Sequence, residues 1–156
     1  MKIKKLVLFL ILFGCLGYFR EFFFVNLNNI MFQKYYNHTN LPIPSIMMVF
    51  DHFSYKTLYY SKYFLTFGWL IVFFCANYFA LKNLTEQKIL LKFLIYSYLI
   101  LLSLAAIAMA YGYFINGRLQ DDEYTVSRWL LGIAQSPIIC LILIASEKLY
   151  PKSTQS

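Results

Sequence analysis

Charge is scarce in this 156-residue chain. Asp, Glu, Lys and Arg together supply 13% of it, against about 25% in an ordinary soluble domain. A water-facing surface of the usual kind cannot be built from so few. Histidine is scarcer still, with only His38 and His52, and neither falls in a long apolar run. Haem in a helix bundle takes histidines from facing spans, and zinc needs more nitrogen and sulfur ligands than are here. No cofactor and no metal is expected. The three cysteines, Cys15, Cys75 and Cys140, lie inside apolar stretches without a CxxC spacing. They read as small buried hydrophobes, not as a disulfide framework or a reactive thiolate.

Other signals are absent too. The net charge is +7, yet no basic run exceeds Lys4-Lys5, so nucleic acid is not an expected partner. No Ser/His/Asp arrangement, phosphate-binding loop or dinucleotide fingerprint appears. A non-catalytic protein is expected. No internal repeat is visible.

What is present is apolar. Hydrophobic residues make up 60% of the chain and aromatics 21%, with 16 Phe and 14 Tyr. Four runs, at about 6–25, 63–81, 89–115 and 129–150, match the roughly 20 residues that cross a hydrocarbon core of about 30 Å. The expected fold is an all-α integral membrane bundle of four transmembrane helices in one domain. Met1-Lys2-Ile3-Lys4-Lys5 before an apolar run has the shape of a signal peptide, and Gly14-Cys15 hints at lipoprotein processing. The bulky Phe13 and the resumption at Phe22-Phe23-Phe24-Val25 favour an uncleaved first helix.

Basic residues set the orientation. Lys2, Lys4, Lys5, Lys82, Lys88, Lys92, Lys148 and Lys152 would share one side. Arg20, Lys34, Lys56, Lys62, Arg118 and Arg128 would share the other, over longer connections. The positive-inside bias then places both termini in the cytoplasm of a bacterial inner membrane. In the short link between spans two and three, Asn83 or Thr85 can cap the third helix.

The connection 26–62 is long but apolar. Leu41-Pro42-Ile43-Pro44 must be extended, and Ser45 can then cap a helix running into Asp51 or beyond. Met47, Phe50, Ser54 and Leu58 fall near one helical face. The segment either lies in the outer interface, as amphipathic helices do, or packs over the bundle as a lid. The connection 116–127 reads as a solvated turn, with Gly117 suited to a helix C-terminal cap.

Candidate site residues gather on the outer side. Arg20 lies about fifteen residues beyond Lys5, a rise of about 22 Å. Glu21 is rotated about 100° from it, so the two should not face each other. Arg128 opens the fourth span at the same depth, Asp51 and His52 belong to the outer segment, and Asp121, Asp122 and Glu123 to the outer turn. Such a rim would hold lipid phosphates or dock a partner, since arginine's planar fork suits phosphate. Otherwise these are snorkelling anchors. In span four, Gln135 falls on the side of Arg128. Pro137 frees the carbonyl of Ile133 and should kink the helix, while Ser136 can satisfy loosened groups. This is either a polar notch or a packing kink. Ala106 and Ala110 have the small-xxx-small spacing of a helix contact.

Three blocks carry a family likeness. They are Arg20-Glu21-Phe22-Phe23-Phe24-Val25-Asn26, Phe53-Ser54-Tyr55-Lys56-Thr57-Leu58-Tyr59-Tyr60, and Tyr124-Thr125-Val126-Ser127-Arg128-Trp129-Leu130-Leu131-Gly132 with Gln135-Ser136-Pro137. Together they resemble the small four-span membrane proteins of some Gram-negative bacteria that accompany exosortases, the membrane transpeptidases that process C-terminal sorting signals. The resemblance implies an accessory role and assigns no catalytic residue. The expected partners are membrane lipids and a larger integral membrane protein, such as a membrane enzyme or export component. The alternative is a small lipid-binding or transport protein with an outer-leaflet head-group pocket.

Overall fold

The computed structural model describes residues 2–37, 42–116 and 121–149. Among these the chain is all-α. Five α-helices follow in order: α1 (Lys2–Tyr36), α2 (Tyr55–Leu84), α3 (Lys88–Asn116), α4 (Asp121–Ala134) and α5 (Ile138–Leu149). A short 3-10 helix, Ser45–His52, lies between α1 and α2. Three helices are long and apolar enough to cross a membrane, and α4 with α5 passes the same test as one span bent by 56°.

Helix lengths depart from the expected spans. α1 runs through the first eleven residues assigned to the outer connection, because the apolar pattern continues through Leu27, Ile30 and Met31, all buried. The Asn26 side chain donates to the Phe22 carbonyl at 2.7 Å and so does not interrupt the helix. α1 stops at Asn37, whose φ of 53° is the left-handed turn that ends many helices. α2 starts eight residues earlier than expected. Ser54 caps it, its Oγ accepting from the Thr57 N–H at 3.3 Å and contacting Thr57 Oγ1 at 2.9 Å.

Two further caps differ from expectation. Pro44, extended at ψ 141°, takes the cap position of the 3-10 helix, and Ser45 is its first residue. Asn83 and Thr85 do not cap α3. Their side chains donate back to Phe79 O (2.7 Å) and Leu81 O (2.8 Å), closing α2 instead. The connection 116–127, expected as a solvated turn, is helical from Asp121, and Ser127 is buried on α4. Gly117 and His38 lie outside the described residues.

The chain divides into two compact units. One gathers Met1–Phe13 with Leu70–Ser156. In it, α2 buries Leu70, Phe73, Asn77, Leu81 and Leu84, α3 buries Leu90, Leu94, Tyr98 and Ala105, and α5 buries Ile139 and Cys140. α3 packs mainly along α4. Ala105 and Gly112 are the small residues of α3 that are buried. Ala106 and Ala110, the expected packing pair, are exposed. At the far end of α5, Glu147 accepts from the Glu86 N–H at 3.0 Å, tying that end to the α2–α3 link. Leu6, Phe9 and Phe13 of α1 line a water-sized void of about 10 Å³ with Ala80, Leu84 and Ile144.

The other unit is Gly14–Trp69. Its core is Leu27, Ile30, Met31, Met47 and Leu58, with Phe23 and Phe50 packed against it. Those two rings meet edge to face at 5.5 Å. The 3-10 helix therefore packs onto α1 and α2 through Met47 and Phe50, while Ile46, Met48 and Val49 point outward. Of the cysteines only Cys140 is buried; Cys15 and Cys75 are exposed, against expectation.

Candidate functional site

The densest polar arrangement lies where span four breaks. Pro137 has no N–H to give, so the carbonyls of the last α4 turn lack their usual partners. Side chains supply them. Ser136 Oγ donates to Ile133 O at 2.7 Å and accepts from the Ile138 N–H at 3.3 Å, bridging the end of α4 to the start of α5. Tyr98 of α3 donates to Ala134 O at 2.7 Å. Asn77 of α2 donates to Ser136 O at 3.1 Å. Two neighbouring helices thus clip the two sides of the break.

Asn77 is the hub. Its side chain is fully buried. Nδ2 lies 2.9 Å from its own helix's Phe73 O and 2.9 Å from Tyr98 Oη, besides Ser136 O. The Tyr98 proton is committed to Ala134. All three neighbours of Nδ2 therefore act as acceptors, which fixes the orientation of the amide. Turning it over would aim Oδ1 at two carbonyls. The consequence is that Oδ1 is buried without a partner, at a cost of about 1–3 kcal/mol. Phe74 packs on the Tyr98 ring edge to face at 4.9 Å and holds the phenol in place.

Gln135 is buried beside this network, whereas Arg128 is exposed. The Gln135 N–H still donates to Leu131 O at 2.9 Å, so the helical register of α4 reaches it and the two positions differ in burial. Ser136 joins the network through its carbonyl, which accepts from Asn77.

The remaining candidates take other partners. Arg20 and Glu21 do approach, at 3.9 Å, because their long side chains bend across the 100° between them. Arg20 also lies over the Phe24 ring at 5.9 Å. Asp51 pairs with Lys34 at 3.0 Å, and Lys34 Nζ also donates to Asp51 O at 2.6 Å. That double contact fastens the 3-10 helix to α1. His52 is exposed at its end. Arg20, Glu21, Asp51 and His52 belong to the 14–69 unit, and Arg128, Gln135 and Ser136 to the other. The members of the expected rim are thus distributed over both units. Among the described residues no group of three His, Cys, Asp or Glu side chains gathers as a metal site would require.

Sequence reasoning missed Asn77 and Tyr98. A usable signal existed for Asn77, the one amide between Tyr63 and Leu81. A polar side chain inside a span finds a partner on a neighbouring helix. Compared with known protein families, curated proteins and solved structures, the chain matches none.

Proposed function

We propose that this chain is a non-catalytic accessory protein of the bacterial inner membrane, multi-pass with both termini cytoplasmic, that binds a larger integral membrane protein. The resemblance to the small proteins accompanying exosortases makes an exosortase system the partner class to test first. The observation that carries the reading is the outward face of α3, where Ser103, Ala106 and Ala110 are exposed together. Lipid contact gives no reason for small side chains at that spacing, whereas a second helix packs closely against them. The first helix adds support. Only 6% of its most apolar stretch is buried within the chain. At Gly14 and Gly17 an added Cβ would meet nothing within 4 Å.

The buried polar groups fit the same reading. Asn77, Tyr98 and Ser136 hold the break in span four together and turn toward each other, not toward the surface. The cytoplasmic placement of both ends is supported by the lysine bias and by the Glu86–Glu147 tie.

Co-purification in mild detergent tests the proposal. Wild-type protein should carry a membrane protein in fixed stoichiometry. Ala106→Leu with Ala110→Leu should insert normally and lose it. Equal retention by the double variant, or a wild-type chain that purifies without another protein, would overturn the reading.

A further inference from the structure

The 14–69 unit contains a cleft of about 290 Å³. Leu27 of α1, Phe50 and Phe53 beside it, and Leu58, Phe64 and Leu65 of α2 form its apolar walls. Thr57 and Ser61, one turn apart on α2, supply its hydroxyls. We propose that this cleft holds one fatty-acyl chain of a bilayer phospholipid. The proposal goes beyond the accessory role and rests on the chain being embedded in a membrane.

Size and surroundings select this occupant. The volume sits at the lower end of small-ligand sites and excludes a partner helix, whose diameter is about 10 Å. The walls offer a polar solute little to bind. Phe64, which lines the cleft, is 80% exposed, and Tyr60 and Phe67, one turn before and after it on α2, are exposed as well. The mouth therefore opens onto an apolar surface of the kind hydrocarbon covers, and lipid is what reaches it.

The polarity of the cleft runs in one direction. Lys56, Thr57 and Ser61 stand toward the start of α2, and Phe64 and Leu65 follow deeper along the helix. A phospholipid has the same polarity. Its acyl chain lies along Phe64 and Leu65, the lining residues beyond Ser61 on α2 that keep accessible surface, its ester carbonyl accepts from the Ser61 hydroxyl, and its phosphate falls on the side of exposed Lys56. Thr57 Oγ1 is already engaged with Ser54 at 2.9 Å and acts as wall. The Lys34–Asp51 contact keeps the segment bearing Phe50 and Phe53 in position as the opposite wall.

Full-length protein is reconstituted into vesicles of phosphatidylethanolamine and phosphatidylglycerol doped with a phospholipid carrying a diazirine in its acyl chain. Irradiation and peptide mapping then locate the adducts. Phe50, Phe53 and Leu65 should be labelled several-fold more than Ile107 and Tyr111, exposed residues of α3 that report ordinary lipid contact. Ser61→Trp fills the cleft and should lower its labelling several-fold while α3 labelling stays unchanged. Thr57→Phe serves the same purpose should Ser61→Trp fail to insert. Cleft labelling no higher than that of α3, or unaffected by the filled variant, would overturn the proposal. Resistance to alkaline carbonate extraction, measured on the same samples, reports membrane embedding separately. A carbonate-resistant protein with an unlabelled cleft removes this inference and leaves the membrane assignment standing.

Discussion

One amide does most of the polar work in the unit that contains the broken span. Asn77 Nδ2 faces three oxygens with two hydrogens, and Oδ1 faces none. This asymmetry makes the substitutions unequal. Asn77→Leu deletes the donor but also the orphaned acceptor, so it should cost no more than an average interhelical bond, about 0.6 kcal/mol. Asn77→Asp puts a carboxylate against three acceptors and should cost roughly 2.5 kcal/mol or more, the penalty of a charge inside a span. Thermal unfolding of the detergent-solubilised variants checks the order, and Asp tolerated as well as Leu would refute the assigned orientation. Tyr98→Phe removes the bond to Ala134 O and the acceptor that faces Asn77 Nδ2, which keeps Phe73 O and Ser136 O, and should lie near Asn77→Leu. These residues were only partly legible in the sequence. Asn77 was visible as a lone amide among apolar residues, but Tyr98 is one of 14 tyrosines with nothing local to mark it. Ala105 and Ala106 could not be told apart either. Lipid is as apolar as a helix contact, so composition does not reveal which face of α3 turns inward.

At the level of elements, two features set the shape of each unit. The first is the 56° break between α4 and α5. Gln135-Ser136-Pro137 announced it, because a proline withdraws a donor wherever it stands in a helix. What the local sequence does not encode is that α2 and α3 hold the break open. Pro137→Ala restores an N–H, yet Asn77 and Tyr98 still occupy Ser136 O and Ala134 O. The bend should therefore persist in Pro137→Ala and relax only when Asn77→Leu and Tyr98→Phe are added. Spin-label distances between positions 126 and 147 report this; straightening in the single variant would show that proline alone sets the angle. The second feature is the 3-10 helix. Its Lys34–Asp51 pair is partly exposed, so Asp51→Ala should cost only about 0.2–1 kcal/mol. Met47→Asp, which places a charge in the core of that unit, should instead release the segment to limited proteolysis between residues 42 and 54. The apolar character of this connection was plain from sequence. Its division was not: α1 and α2 are apolar on every side, and nothing in the pattern marks where a span ends and its extension begins.

The whole molecule follows from its shortage of charge. Three helices of membrane-crossing length and a fourth broken pair leave most large apolar side chains exposed, among them Phe64, Trp129 and Phe114. Water would not tolerate that surface, and hydrocarbon does. α1 spans 35 residues, about 52 Å of rise, against a core of about 30 Å. Its surplus is taken up by packing against the 3-10 helix and α2. The central claim is a multi-pass chain whose amino terminus, α2–α3 link and α5 end share one side of the membrane. The direct measurement is side-specific labelling of single cysteines in intact and permeabilised cells, with Cys15, Cys75 and Cys140 replaced by Ala. Lys5→Cys, Glu86→Cys and Glu147→Cys should be protected in intact cells and react only after permeabilisation, while Ser54→Cys should react from outside. Labelling of Glu147→Cys from outside together with protection of Glu86→Cys would contradict the account, since it would put across the membrane two residues that the fold joins by a hydrogen bond.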